Sequence, residues 1–383
     1  MAITYIYLDD EEPRTVRPYI DEVERHCGGL NISLHSPQVY QKQISALQKE
    51  NYDGLILDLR LDQHANWEKT NGGEKAHYRG TTLAQEIRTR ATEGKYRDCP
   101  IVLWSTDDRL KSSYYKDHTG HDLFDLKCVK EEIEKEDQAN LIAIRLVSLV
   151  QGYEEIATIK GETRRSKSQF HRFLGFDEPL EFIDPRITSY FDSKVGSIPI
   201  HEYARFILRD LLDAPGPLID ERILAARLGI DITASKDFQK LKNTYLENAA
   251  YKGPFRDGWK RWWSYFVEDW WKSLENSPGP LRSIPARERV AFLKKVTRLK
   301  GLISAKPIKD DYSELFWTIC QVSESPLDPR DGFVIYVKDY KLWQDKLYVS
   351  IEHALSGEME EKGLIIDPLE RERFKQVRVR SKA

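Results

Sequence analysis

The chain has 383 residues, 40% of them apolar and 32% charged, a length that calls for two or three hydrophobic cores rather than one. This composition excludes a disordered or fibrous polypeptide, and no run approaches the roughly 18 consecutive apolar residues of a membrane span. Net charge is −3, with 20 basic against 26 acidic side chains in residues 1–150 and 39 against 36 in the remainder, so neither part has the strong basic excess of a nucleic-acid-binding domain.

The N-terminal MAITYIYLDDEEPR turns acidic at once and lacks the basic and apolar regions of a signal peptide. Ile3-Thr4-Tyr5-Ile6-Tyr7-Leu8 reads as a strand that stops at Asp9-Asp10-Glu11, and a helix follows from Pro13. Asp53-Gly54 marks a turn, and Leu55-Ile56-Leu57 after it is the continuous apolar run of a strand buried on both faces; it ends in Asp58. Pro100-Ile101-Val102-Leu103-Trp104 ends in Ser105-Thr106, and Leu123-Phe124-Asp125-Leu126 ends in Lys127. Amphipathic stretches such as Leu83-Ala84-Gln85-Glu86-Ile87-Arg88 lie between them. This alternation implies βα units and a doubly wound parallel sheet.

Ligands of such sheets bind beyond the carboxyl ends of the strands, where this chain offers complementary groups. Three carboxylates make a hard oxygen site suited to Mg²⁺. A carboxylate on the central strand can attack a phosphoryl group, while a hydroxyl and an ammonium stabilise the phosphoryl oxygens. Taken singly, Asp9 and Asp10 also suit helix N-caps and Lys127 suits a solvated surface position.

The segments YIYLDDE, DGLILDLRL, Gly80, PIVLWST and FDLK together resemble the receiver domains of response regulators. The resemblance implies a five-stranded flavodoxin-like α/β fold over residues 1–155. It makes Asp58 the phosphoacceptor and Asp9, Asp10, Asp58 and the backbone carbonyl of Arg60 the Mg²⁺ ligands. Ser105 becomes the switch hydroxyl, Phe124 the rotating aromatic and Lys127 the phosphoryl-contacting lysine. A sensor histidine kinase or phosphotransfer protein is the implied donor, and a homodimer through the receiver the implied assembly. Two features depart from the family: about seventeen residues, 63–79, separate Asp62 from Gly80, and Cys128 stands where proline ordinarily follows the lysine.

Residues 138–159 carry apolar side chains at helical spacing, the last receiver helix, and residues 156–198, with the basic Lys160 to Ser168 stretch, read as a linker. From 199 onward a helix-rich output region ending in a small α+β unit is expected, of no recognised family. Residues 219–243 have the outline of a helix-turn-helix in which a second helix starting at Ser235 would present Lys236, Lys240 and Lys242 to DNA, or simply pack. Trp259, Trp262, Trp263, Trp270 and Trp271 fall within thirteen residues. On one helix Trp259, Trp263, Phe266 and Trp270 form a stripe, either core-facing or a partner surface. Residues 287–306 read as a cationic helical segment, and three later apolar runs read as strands. Cys320 and His353 are a candidate nucleophile pair only if the fold brings them together.

The four cysteines lack CxxC spacing, which argues against zinc or disulfides and fits a reducing compartment, the cytoplasm. No phosphate loop, HExxH or GxSxG signature is present. The expected function is a phosphorylation-dependent regulator with no enzymatic chemistry beyond phosphate acceptance and its own dephosphorylation. The alternative is a receiver-fold scaffold whose tryptophan-rich region binds a protein partner, or an effector controlled by the receiver, DNA-binding or serving in bacterial conflict.

Overall fold

A computed structural model describes residues 2–63, 76–112, 114–116, 120–163, 170–192 and 198–381. The insertion expected at 63–79 falls mostly at 64–75, outside the described residues.

Strands β1 (Ile3–Leu8), β2 (Leu30–His35), β3 (Gly54–Leu57), β4 (Ile101–Ser105) and β5 (Leu126–Val129) form one parallel sheet in the order β2-β1-β3-β4-β5. Helices α1 (Pro13–Arg25), α2 (Tyr40–Lys49), α3 (Gly80–Thr92), α4 (Asp107–Ser112) and α5 (Glu136–Thr163) connect and flank the strands. This is the doubly wound, flavodoxin-like arrangement, in which strand order reverses beside β1. The interior strands β3 and β4 are buried at every residue, which is why they are uninterrupted apolar runs. The edge strands β2 and β5 instead mix buried, half-buried and exposed positions. At the amino ends of the strands, Arg88 donates to Asp125 at 2.7 Å and to Asp98 at 3.3 Å, and Tyr153 of α5 donates to Asp125 at 2.9 Å. These buried groups satisfy one another and fix α5 to the sheet.

The first compact unit comprises residues 1–180, 188–209 and 252–259, so its limits differ from the expected boundaries at 155 and 198. Helix α5 runs past 155 to Thr163, and helices α6 (Phe170–Phe173), α7 (Pro185–Asp192) and α8 (Ile200–Arg205) follow. The stretch read as a linker on its polarity instead supplies packing groups. Phe173 stacks on Tyr203 at 4.9 Å between ring centroids; just beyond that stretch, His201 Nδ1 lies 3.0 Å from Asp98.

The second unit holds residues 181–187, 210–251 and 260–383. It is mainly helical, with three two-stranded antiparallel sheets. Helix α9 (Glu221–Leu228) is capped by Asp220, which accepts from Ile223 N at 2.8 Å, and closes on Gly229 at φ 73°. Helices α10 (Phe238–Tyr245), α11 (Ser264–Ser273) and α12 (Ala286–Thr297) surround the same core. The tryptophan-rich segment is not one helix: Trp262 and Trp263 form a strand paired with Leu218–Ile219, and α11 starts only at Ser264. Trp262, Trp263 and Trp271 are buried there, and Trp271 Nε1 donates to Gly279 O at 2.9 Å. These indoles are core, so they do not form the partner surface of the scaffold reading. The small sheets and helices after residue 318 match the expected α+β unit.

Candidate functional site

Register builds the site. Leu8 pairs with Leu57, and Asp58 N donates to Leu8 O at 3.0 Å, so the residues that follow each strand emerge side by side. Asp9, Asp10 and Asp58 are buried there, each with an oxygen within 4.8 Å of the others. Asp9 Oδ2 accepts from Tyr7 OH at 2.5 Å and from Lys130 Nζ at 2.7 Å, and its Oδ1 accepts from Glu11 N at 2.9 Å. Asp10 Oδ2 accepts from Gln63 N at 2.5 Å. Gly80 opens α3 so close to Asp58 that a Cβ there would sit 2.2 Å from the Asp58 carbonyl oxygen; only glycine permits this approach.

The two oxygens of Asp58 differ. Oδ2 accepts from Arg60 N at 3.0 Å and from Arg109 Nη1 at 2.8 Å. Oδ1 has no hydrogen-bond partner among the described residues, though Lys130 Nζ stands 3.7 Å away. Ser105 Oγ at the end of β4 is likewise buried and unpartnered. Buried polar atoms are ordinarily paired, and an unpartnered carboxylate oxygen beside a buried ammonium suits an incoming ligand atom. Burial, then the charge of Asp9, pushes the Asp58 carboxyl up to about 6 against the pull of Lys130 and Arg109. Burial also raises Asp10. For Lys130 burial works downward, but Asp9 and Asp58 outweigh it and hold the ammonium above its ordinary value.

Four carboxylates (Asp9, Asp10, Glu11, Asp58) thus face two cations, Lys130 and Arg109. The unbalanced negative charge and the all-oxygen donor set fit a hard divalent cation such as Mg²⁺.

The structure moves two of the expected residues. Lys127 lies inside β5 opposite Leu103, exposed, with its ammonium 5.6 Å from the Tyr114 ring. Lys130, just past the end of β5, is the lysine at the carboxylates. Phe124 precedes β5, whereas Ser105 is level with Val129. At 3.3 Å per residue that places Phe124 roughly 15 Å from Ser105 along the strand, beyond contact; it packs edge-on to Tyr114 at 6.1 Å instead. The three-residue step from aromatic to lysine, counted back from Lys130, lands on Lys127 itself. The structure brings Asp9, Asp10 and Asp58 together, has Arg60 N donate to Asp58, and buries Ser105 at the end of β4. Arg109 and Glu11 were not foreseen as site residues.

In the second unit α10 starts at Phe238 rather than Ser235, because the Ser235 hydroxyl donates to Ile303 O and accepts from Ile303 N. Lys236 and Lys240 are exposed. Lys242 is buried, ion-paired with Glu221 and lying 5.6 Å from the Trp262 ring; burial and then Lys260 push it down to about 8. It is not available to a DNA phosphate. Cys320 Sγ comes within 3.8 Å of His353 Nδ1, but that nitrogen is 2.6 Å from Ser350 Oγ, and Cys320 is wholly buried. The Ser350 hydroxyl caps a helix by accepting from His353 N at 3.2 Å and also engages the imidazole, while the thiol belongs to a hydrophobic core.

The fold is a doubly wound, flavodoxin-like α/β sheet with a buried carboxylate cluster at the carboxyl ends of its strands. Solved structures of response regulators are similar to part of the chain. One is a CheY-like receiver domain protein from Methanospirillum hungatei, at 10% identity and TM-score 0.22, covering 36% of this chain and 98% of the other. Another is the phosphorylated cyanobacterial phytochrome response regulator RcpA, at 15% identity and TM-score 0.25, covering 38% and 96%. A third is a response regulator from Burkholderia pseudomallei with a phosphorylated aspartic acid, calcium ion and citrate, at 13% identity and TM-score 0.21, covering 45% and 93%. No protein-family model and no curated protein matches the chain. No helix among the described residues is long and apolar enough to cross a membrane.

Proposed function

We propose that the chain is a phosphorylation-dependent response regulator that accepts a phosphoryl group on Asp58. The observation that carries this reading is the unpartnered, buried Oδ1 of Asp58 with Lys130 at 3.7 Å, at the end of β3; the equally unpartnered hydroxyl of Ser105 ends the neighbouring strand β4. Oδ1 is the attacking atom, and Ser105 and Lys130 receive the phosphoryl oxygens. Asp9, Asp10, Asp58 and the backbone carbonyl of Arg60 would hold Mg²⁺, which supplies charge neutralisation at the transferring group. Tyr7 and Glu11 N hold Asp9 in place for that role. The donor is a sensor histidine kinase, a phosphotransfer protein or a small acyl phosphate, and the second unit is the output whose activity the phosphoryl group controls.

The test is intact-protein mass after incubation with acetyl phosphate and Mg²⁺. A single phosphoryl adduct on wild type and none on Asp58→Asn is expected. An unlabelled wild type, under conditions that label a control receiver, defeats the proposal.

A further inference from the structure

Arg109 stands where no functional residue was expected. It projects from α4, four residues beyond Ser105, and its Nη1 lies 2.8 Å from Asp58 Oδ2 and 3.1 Å from Glu11 Oε1. Glu11 also reaches Lys130 at 3.4 Å, so one carboxylate holds both cations over the site. Arg60 N at 3.0 Å and Arg109 both engage Oδ2, the oxygen that would also face Mg²⁺, and Oδ1 is the oxygen open to phosphorus.

We propose that Arg109 is a switch residue that follows negative charge from the Asp58 carboxylate to the phosphoryl group and carries α4 with it. The inference rests on Asp58 being the phosphoacceptor. As Oδ1 bonds to phosphorus, the donor's bond to phosphorus breaks and its leaving group departs with the electron pair, as acetate when acetyl phosphate is used. Oδ2 thereby changes from half of a carboxylate to a neutral acyl carbonyl, and the negative charge now resides on the phosphoryl oxygens. An ion pair with Oδ2 becomes an ordinary hydrogen bond, while a dianion appears within reach of the same guanidinium. Charge-assisted and bidentate bonds from arginine to phosphate are the stronger choice. Because Arg109 belongs to a helix of only six residues, its displacement moves a surface element, and no rotation of Phe124 is needed.

The experiment measures backbone hydrogen exchange over residues 106–112 in full-length protein before and after acetyl phosphate labelling. Wild type, Arg109→Gln and Arg109→Lys are compared, each corrected for adduct stoichiometry by mass. In wild type, phosphorylation is expected to slow exchange in this segment about tenfold, the factor that corresponds to one added charge-assisted bond of ~1.4 kcal/mol. Arg109→Gln should lose that response and shed its phosphoryl group about tenfold faster, and Arg109→Lys should recover part of both. A wild-type exchange response in phosphorylated Arg109→Gln overturns the proposal, as does a wild type that is labelled but shows no response. If Arg109→Gln fails to fold, Arg109→Lys decides: a response and adduct lifetime equal to wild type overturn the proposal. A wild type that takes no label defeats the Asp58 reading instead, and this inference with it.

Discussion

The Lys130 ammonium lies 2.7 Å from the Asp9 carboxylate and so ties the end of an edge strand to the end of β1, across the mouth of β3 and β4. Both side chains are almost entirely shielded from water, at 2% and 0% exposure. A charge in that position is tolerable only with its partner, so the pair fixes the local geometry of the site whatever it adds to net stability.

Removing one partner should therefore be severe. Lys130→Ala is expected to cost about 3 kcal/mol, the range for an uncompensated buried charge, and to abolish adduct formation. Lys127→Ala removes an exposed ammonium that lies over the Tyr114 and Tyr115 rings and should cost no more than about 1 kcal/mol, with labelling intact. Denaturant midpoints and intact mass check both. Equal loss in the two variants would return the phosphoryl contact to Lys127.

The contrast between these lysines also explains what the sequence could reveal. β1, β3 and β4 lie inside the sheet, and their apolar runs end at the reactive residues, so Asp9, Asp58 and Ser105 were legible. The edge strands are half exposed. In β5, Leu126 and Cys128 are buried while Lys127 is not, and that alternation hides the strand from a search for continuous runs. A strand placed at residues 123–126 puts the lysine three places early, at Lys127 instead of Lys130. β2, Leu30–His35, mixes buried, half-buried and exposed residues and has no continuous apolar run to mark it. Arg109 was invisible for a different reason: it reaches the site by the length of its side chain from a short helix, and no spacing rule announces that. In the second unit, helices and strands were foreseeable, but indole clustering alone could not distinguish a core from a surface. Burial of Trp262, Trp263 and Trp271 decides it.

Gly80 gives a test of how closely α3 must approach the acceptor strand. An alanine methyl would meet the Asp58 carbonyl oxygen at 2.2 Å, so the helix start must retreat. The strain of such overpacking, about 1–3 kcal/mol, exceeds the ~1 kcal/mol that alanine offers over glycine in a helix interior. Gly80→Ala is expected to lower the denaturation midpoint and slow adduct formation. Unchanged labelling kinetics would show that the site does not depend on this contact.

The second unit has its own dependence on a buried cation. Arg289 donates to the carbonyls of Ile284, Arg227 and Phe316 at 2.5, 2.6 and 2.9 Å, and burial pushes its guanidinium down to about 10. Arg289→Met keeps the length and relieves the charge, but leaves three carbonyls without this donor, at about 1–3 kcal/mol each before relaxation. A net loss of roughly 3 kcal/mol is expected in denaturation followed by tryptophan fluorescence, to which Trp271 of the same unit contributes. A neutral substitution would mean that water replaces the guanidinium.

The acceptor carboxyl should make metal-free protein less stable as pH rises. Asp58 ionises near 6 in the fold, against 3.8 in an ordinary aspartate, with burial the first cause and Asp9 the second. Between about pH 4 and 6 the native protein therefore holds a proton that the unfolded chain has released, so stability falls across that window and does not return above it. A shift of this size corresponds to about 3 kcal/mol, and Asp58→Asn should escape the loss. Melting temperatures in EDTA across pH 4–7.5 should show the advantage of Asp58→Asn growing as pH rises. Mg²⁺ binds the ionised carboxylates and so opposes the same repulsion. Its stabilisation of wild type should be largest near pH 7.5 and shrink below pH 6 as protons compete for Asp58. A difference between wild type and Asp58→Asn that is flat from pH 4 to 7 would mean that Asp58 titrates as an ordinary surface carboxylate.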